Sequence, residues 1–260
     1  MLIEKMNLIT KYSRVLVTAL LVQSTFAQNS TIENPFTQSL GGFNYGTKDS
    51  PDGNEWESPM NLSFNKELPK SYFFSFENQK QAVKLLPENS PYWKNLNGTW
   101  KFNWVKKPDE RPKNFYENNF DTSSWADVPV PMSWNIFGIQ KNGDLKYGVP
   151  IYVNQKVIFQ HAVKVDDWKG GVMRAPNKDW TTYIYRNEVG SYKRTFDVPK
   201  NWDGRDIYIN FDGVDSFFYI WINGKYVGFS KNSRNLASFN ITDYLNKKGE
   251  NSVAVEVYRN

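Results

Sequence analysis

Phe217 to Ile222 is followed at once by Asn223-Gly224 and then by Lys225 to Phe229. The first segment is aromatic and β-branched, which suits a pleated strand. Asn and Gly both tolerate positive φ, as a two-residue type I′ turn requires. The pattern predicts a β-hairpin. From Gly190 onward the same texture is dense: Ser191 to Val198, Arg205 to Phe211, Ala237 to Ile241 and Ser252 to Tyr258 all read as strands. Short turn signals such as Asn201-Trp202-Asp203-Gly204 and Lys247 to Asn251 separate most of them, as in an antiparallel sandwich. Asp243-Tyr244-Leu245 reads as one helical turn.

Upstream, Leu96 to Val105 places Trp100, Phe102 and Trp104 on one face and Lys101 and Asn103 on the other. That alternation predicts a half-buried antiparallel strand, closed by the prolines between Pro108 and Pro112. Asp121 is placed to cap a short helical turn, and Val128 to Trp134 is held extended by its prolines. Strand pattern alone allows a sandwich or a barrel.

The aromatic share of 17% is high. Aromatic side chains build strands and cores, and they also stack on the apolar faces of sugars. There is no cysteine, so disulfides, a thiolate nucleophile and thiolate metal sites are excluded. The single histidine, His161, cannot build a multi-histidine metal site and reads as a polar strand or loop residue. The net charge of +5 is spread through mixed Lys and Asp/Glu, without a basic run or a nucleic-acid motif. We read it as a solubility feature and expect no nucleic-acid partner.

Residues 1–27 resemble a secretory signal peptide: Lys5, Lys11 and Arg14 are the positive region, Val15 to Val22 the apolar core, and Thr25-Phe26-Ala27 the small residues before a cut. The apolar run is too short to span a bilayer, and no cysteine follows it for lipid anchoring. The expectation is export to the periplasm or beyond, without a membrane anchor. Residues 28–90 read as an extended lead-in that either packs over another surface or stays mobile, and 91–260 as the β-sandwich. Asp166 to Arg186 reads as a long surface insertion; the adjacent Asp166 and Asp167 would point to opposite faces of a strand and do not make a paired acid.

Two polar positions stand out. Ser230-Lys231-Asn232-Ser233-Arg234 is either a solvated connector or a rim that grips hydroxyl groups, since short polar side chains on a rigid sheet suit both. Asn154, in Pro150-Ile151-Tyr152-Val153-Asn154, either caps a strand end or presents an amide that both donates and accepts.

Asp212-Gly213-Val214-Asp215-Ser216, then Trp221 to Gly228, then Asn232-Ser233-Arg234 resemble the N-terminal sugar-binding domain of family 2 glycoside hydrolases, and within it the large bacterial β-galactosidases. Leu96 to Phe102, the Val-Pro-x-x-Trp segment and Glu55 to Pro59 are similar to the same proteins. The resemblance implies an all-β, jelly-roll-type antiparallel sandwich, galactose-binding-domain-like. It implies that Asn154 and Asn232 contact galactosyl hydroxyls, and that the parent enzyme hydrolyses terminal non-reducing β-D-galactose by a retaining mechanism. Such a mechanism needs two carboxyl groups about 5 Å apart. In the family both glutamates lie on a (β/α)₈ barrel beyond this segment, so no catalytic residue is assigned and residues 1–260 alone are expected to be inactive. The chain reads as an N-terminal fragment whose partners are β-galactosides and that barrel, with room for a homo-oligomer of the full-length enzyme. No cofactor is assigned to this segment; Mg²⁺ and Na⁺ are implied for the parent. Asn232 stands where the family's Asp-Ser-Arg string has an aspartate, which removes a charge from any cation site there. The other reading is a stand-alone carbohydrate-binding sandwich without catalysis.

Overall fold

The computed structural model describes residues 43–57, 61–71, 73–148 and 187–259. The signal segment, Asn154, His161 and the 166–186 insertion lie outside these residues. The described part is mostly β. The strands are β1 (Phe43–Asn44), β2 (Ser63–Phe64), β3 (Gly98–Val105), β4 (Ala126–Val130), β5 (Val189–Phe196), β6 (Tyr208–Phe211), β7 (Phe217–Ile222), β8 (Lys225–Lys231), β9 (Ala237–Asn240) and β10 (Asn251–Tyr258). Two short helices, α1 (Gln79–Ala82) and α2 (Trp134–Phe137), interrupt the loops.

Eight strands form one sheet in the order β1-β2-β8-β7-β10-β5-β3-β4, and β6 pairs with β9 in a second. Every pairing is antiparallel except that of β1 with β2. The predicted hairpin is β7–β8. Asn223 and Gly224 have φ of 52° and 79°, the left-handed pair that a type I′ turn uses. The Asn223 side chain adds more than turn geometry. It donates to the Tyr244 carbonyl at 2.9 Å and to Asn251 Oδ1 at 2.7 Å, and it accepts from the Ser252 amide at 2.8 Å.

All six residues of β7 are buried, so the sheet is covered on both faces at this strand. Alternate side chains serve two clusters, as the strand period of two requires. Phe218, Ile220 and Ile222 join Trp100, Phe102, Val253, Val255 and Val257. The β6–β9 layer contributes Ile209 and Phe239 to that cluster, so the main core lies between the two sheets. Each fully buried side chain of this size stabilises the fold by about 1.5–3 kcal/mol. On the opposite face Phe217, Tyr219 and Trp221 pack with Phe115, Tyr226, Phe229 and Tyr258. The 115–125 segment covers them, with Tyr116 stacked on Trp221 at 4.9 Å between centroids. Lys193 holds that segment down by donating to the carbonyls of Phe115 and Glu117.

The described lead-in packs onto the sheet. β2 pairs with β8, and Asn65 ties the lead-in to the hairpin by donating to the Gly46 and Val227 carbonyls, both at 2.9 Å. The approach is so close that a Cβ at Gly228 would lie 2.1 Å from the Phe64 carbonyl oxygen. Glu55 is buried and accepts the amides of Asp52, Gly53 and Asn54, while Trp56 stacks on Tyr258 at 5.5 Å.

Several bounds differ from the sequence reading. The strand leading out of the hairpin continues through Ser230 to Lys231, because Ser230 is paired on both sides, with Ser63 and Phe218. The polar loop therefore begins at Asn232. The 205–211 strand is shortened to Tyr208–Phe211. Asp121 caps a turn: its Oδ1 accepts the Ser123 amide at 2.8 Å, and Trp125 N–H closes back on Thr122.

Candidate functional site

Asn232 leaves β8 with φ of 88° and its side chain exposed. Among side chains other than glycine, Asn is one of the few that tolerate this backbone region. The turn it opens abuts the loop after β6: a Cβ on Gly213 would lie 3.3 Å from the Ser233 carbonyl oxygen. Two stretches that looked separate in sequence, 212–216 and 232–234, are therefore neighbours at one end of the sandwich. Both are anchored to buried strands. The Ser216 amide donates to the Tyr258 carbonyl at 3.1 Å, and the Lys231 amide to the Leu62 carbonyl at 3.0 Å.

Beside this rim a cleft of about 500 Å³ opens between the 130–135 and 209–215 segments, with Asn210, Asp212, Asp215 and Arg259 on its wall. Trp134 and Met132 supply apolar floor. The floor is close-packed, because a Cβ at Gly190 would meet the Trp134 ring at 2.5 Å. Asn135 fixes the 130–135 segment by donating to the Tyr147 carbonyl at 2.6 Å. Arg259 is held by Glu188 at 2.5 Å and through its own amide to the Glu188 carbonyl at 3.0 Å. Burial pushes the Tyr192 hydroxyl, on the cleft wall, far above its ordinary pKa, and the negative charge of an ionised Tyr147 would push the same way. It stays neutral. Burial lowers the pKa of Lys231, at the foot of the rim, and Glu55 opposes that shift. The rim thus carries the Asn232 amide, the carboxylates of Asp212 and Asp215, the hydroxyls of Ser216 and Ser233 and the Arg234 guanidinium, groups that exchange hydrogen bonds with a polyol.

Asn232 is the one sequence-predicted contact that falls within the described residues; Asn154 lies outside them. Among the described residues no group of three or more His, Cys, Asp or Glu is placed to hold a metal ion. At position 232 the chain offers a neutral amide, which donates nothing to cation charge neutralisation. No step is assigned to a cation here.

Two ion pairs with buried carboxylates escaped the sequence reading. One is the Arg259–Glu188 pair, formed by residues 71 positions apart. The other is formed by Glu256, which interrupts the apolar run Val253-Ala254-Val255-Glu256-Val257. It is 4% exposed, receives the Tyr258 hydroxyl at 2.7 Å and pairs with Arg111 Nε at 3.2 Å. A lone charge inside a buried strand was the available signal.

The family profile described as "Glycosyl hydrolases family 2, sugar binding domain" matches residues 93–260. The chain belongs to this family. The family 2 sugar-binding domain here is 34% identical over 206 residues to a β-galactosidase of Priestia megaterium, covering 79% of this chain and 18% of the relative. It is 35% identical over 207 residues to a β-galactosidase of Halalkalibacterium halodurans, covering 78% and 18%. It is 32% identical over 181 residues to the β-galactosidase large subunit of Lactobacillus helveticus, covering 66% and 26%. The chain thus spans about a fifth to a quarter of the length of these curated relatives. Among solved structures, Bacteroides uniformis β-glucuronidase 2 matches at a TM-score of 0.42 and 24% identity, over 64% of this chain and 14% of that one.

Proposed function

We propose that this chain is the N-terminal portion of an exported β-galactosidase that hydrolyses terminal non-reducing β-D-galactose with retention. In this reading residues 1–27 are its signal peptide, and the described strands are part of a jelly-roll sandwich. The domain supplies Asn232 and Asn154 to a sugar site completed by a catalytic barrel. The observation that carries the reading is the Asn-Ser-Arg turn: Asn232 emerges, exposed and at φ 88°, from a strand buried along most of its length, beside the Asp212–Ser216 loop. A rigid strand ending in an exposed amide positions a hydroxyl contact more firmly than a free loop does. The names of the relatives support galactose as the sugar.

The test is to purify the native exported protein, measure its intact mass and follow cleavage of an aryl β-galactoside by NMR of the anomeric proton. A mass several-fold that of this chain and a first-formed β-anomer are expected. Absence of galactoside cleavage by the intact native protein would overturn the reading.

A further inference from the structure

Along the outer edge of the sandwich runs a second depression, of about 680 Å³, bounded by the 70–75 and 90–97 segments on one side and by 196–212 on the other. It lies in the size range of small-ligand clefts, roughly 300–1,000 Å³. It is continuous with the rim cleft, and Leu96, Asn97, Ile209, Asn210 and Asp212 line both. Its walls are unlike the rim. Phe73, Tyr92, Trp93, Trp202 and Tyr208 line it. Tyr208 is 38% and Phe73 69% exposed. Short polar side chains, among them Ser71, Asn95 and Asn97, stand between the rings.

The platforms are held in place. Trp202 Nε1 donates to the Pro91 carbonyl at 2.7 Å, which clamps the two walls together. The Lys70 ammonium lies 4.4 Å from the Tyr208 centroid, and the Arg205 guanidinium 4.1 Å from that of Tyr92. Arg205 also donates to the Tyr92 hydroxyl at 3.1 Å, and Lys94 donates to the Asp197 carbonyl at 2.7 Å. Each cation of the groove is therefore already engaged with a ring or a carbonyl. Three acids, Asp197, Asp206 and Asp212, balance the three bases. A groove with no net charge and no idle cation does not select a polyanion, which would need unpaired Arg or Lys. Fixed rings interleaved with amides and hydroxyls match a neutral sugar chain, whose residues present apolar faces and hydroxyl edges in alternation.

We propose that this groove is an accessory carbohydrate site that holds a neutral oligosaccharide along the edge of the sandwich. The inference does not rest on the rim's role in catalysis. It is tested by calorimetric titration of the full chain with two probes, β-1,4-galactotetraose and cellotetraose, and with tetragalacturonate as the acidic counterpart. At least one neutral tetrasaccharide should bind, and more tightly than free galactose. Measured in an Asn232→Ala background, which takes out the rim contact, Tyr208→Ala and Trp93→Ala should each weaken that binding about ten-fold and Tyr208→Phe should retain it. Circular dichroism melts identify any variant that has lost its fold; the exposed Asn95→Ala then reports on the groove in its place and should also weaken binding. Failure of both neutral probes to bind at millimolar concentration overturns the proposal. So does tighter binding of tetragalacturonate, loss of binding in Asn232→Ala alone, or undiminished binding in the groove variants.

Discussion

The hydroxyl of Tyr219, in the middle of the sheet, donates to the carboxylate of Glu55, in the lead-in, at 2.5 Å. The same carboxylate gathers three consecutive backbone amides, 52 to 54. One buried acid thus both shapes a loop and fastens it to a strand 164 positions away. Burial, followed by the bond and charge of Glu55, pushes the Tyr219 hydroxyl far above its usual pKa, so it remains a donor throughout the working pH range. Replacing Glu55 with Ala leaves four buried or half-buried donors without their acceptor. Hydrogen bonds to charged groups contribute about 1.5–3 kcal/mol each, and they are coupled here. We expect Glu55→Ala to lose at least about 3 kcal/mol in urea unfolding, and Tyr219→Phe to lose less. Equal losses would mean that the backbone amides contribute nothing.

Glu256 sets a pH dependence. Burial raises its carboxyl to about 7, against smaller opposing effects of the Tyr258 bond and of Arg111. Because the folded value lies above the unfolded one, near 4.3, the folded state favours the neutral acid. Its stabilising contribution is complete below the unfolded value and is lost as pH rises through about 7. Stability of the natural chain should therefore fall relative to Glu256→Gln between pH 5 and 8, by up to about 3 kcal/mol. Chemical denaturation at a series of pH values checks this; parallel pH profiles would refute it.

Asn223→Gly separates turn geometry from side-chain bonding. Glycine accepts the φ of 52° without strain, so turn preference alone predicts little change. The three bonds to Tyr244, Asn251 and Ser252 predict a loss of about 2 kcal/mol. A thermal melt distinguishes the two.

Gly228→Ala should be costlier than an exposed Gly→Ala change. The new methyl would sit 2.1 Å from a backbone oxygen of β2, and backbone cannot swing aside as a side chain does. Overpacking of this kind costs about 1–3 kcal/mol or more. Because the displaced strand is β2, limited proteolysis of the variant should nick the lead-in first.

At the rim, Asn232→Gly keeps the backbone conformation and removes the amide. If the chain belongs to the galactosidase proposed above, it should lower aryl galactoside turnover there by up to about ten-fold, the value of one hydrogen bond, with an unchanged melting temperature. Asn154→Ala should act in the same direction. Unchanged kinetics in both would withdraw these residues from the site.

The hairpin, the sandwich texture of 190–258 and the alternation in β3 could be read from sequence because each depends on neighbours in the chain: a two-residue turn, a period of two, a proline stop. The proximity of the 212–216 loop to Asn232 was not read from the sequence, because it depends on how distant strands pair. What escaped depends on distant partners. Lys193, Arg111 and Glu55 look like ordinary surface charges until the strand order brings Phe115, Glu256 and Tyr219 against them. The aromatic groove escaped for the same reason, since Tyr92 and Arg205 meet across 113 positions.

In the sheet order, β10 lies between β7 and β5, paired along its length with both. Among the described strands, the β7–β8 side and the β3–β4–β5 side share no hydrogen-bonded edge without it. Made from the N-terminus onward, the chain has two half-sheets with open edges until residues 251–258 leave the ribosome. Open edges invite pairing with other chains. The sheet therefore closes from its centre and last, and any delay before that strand is available is a period of exposure to aggregation.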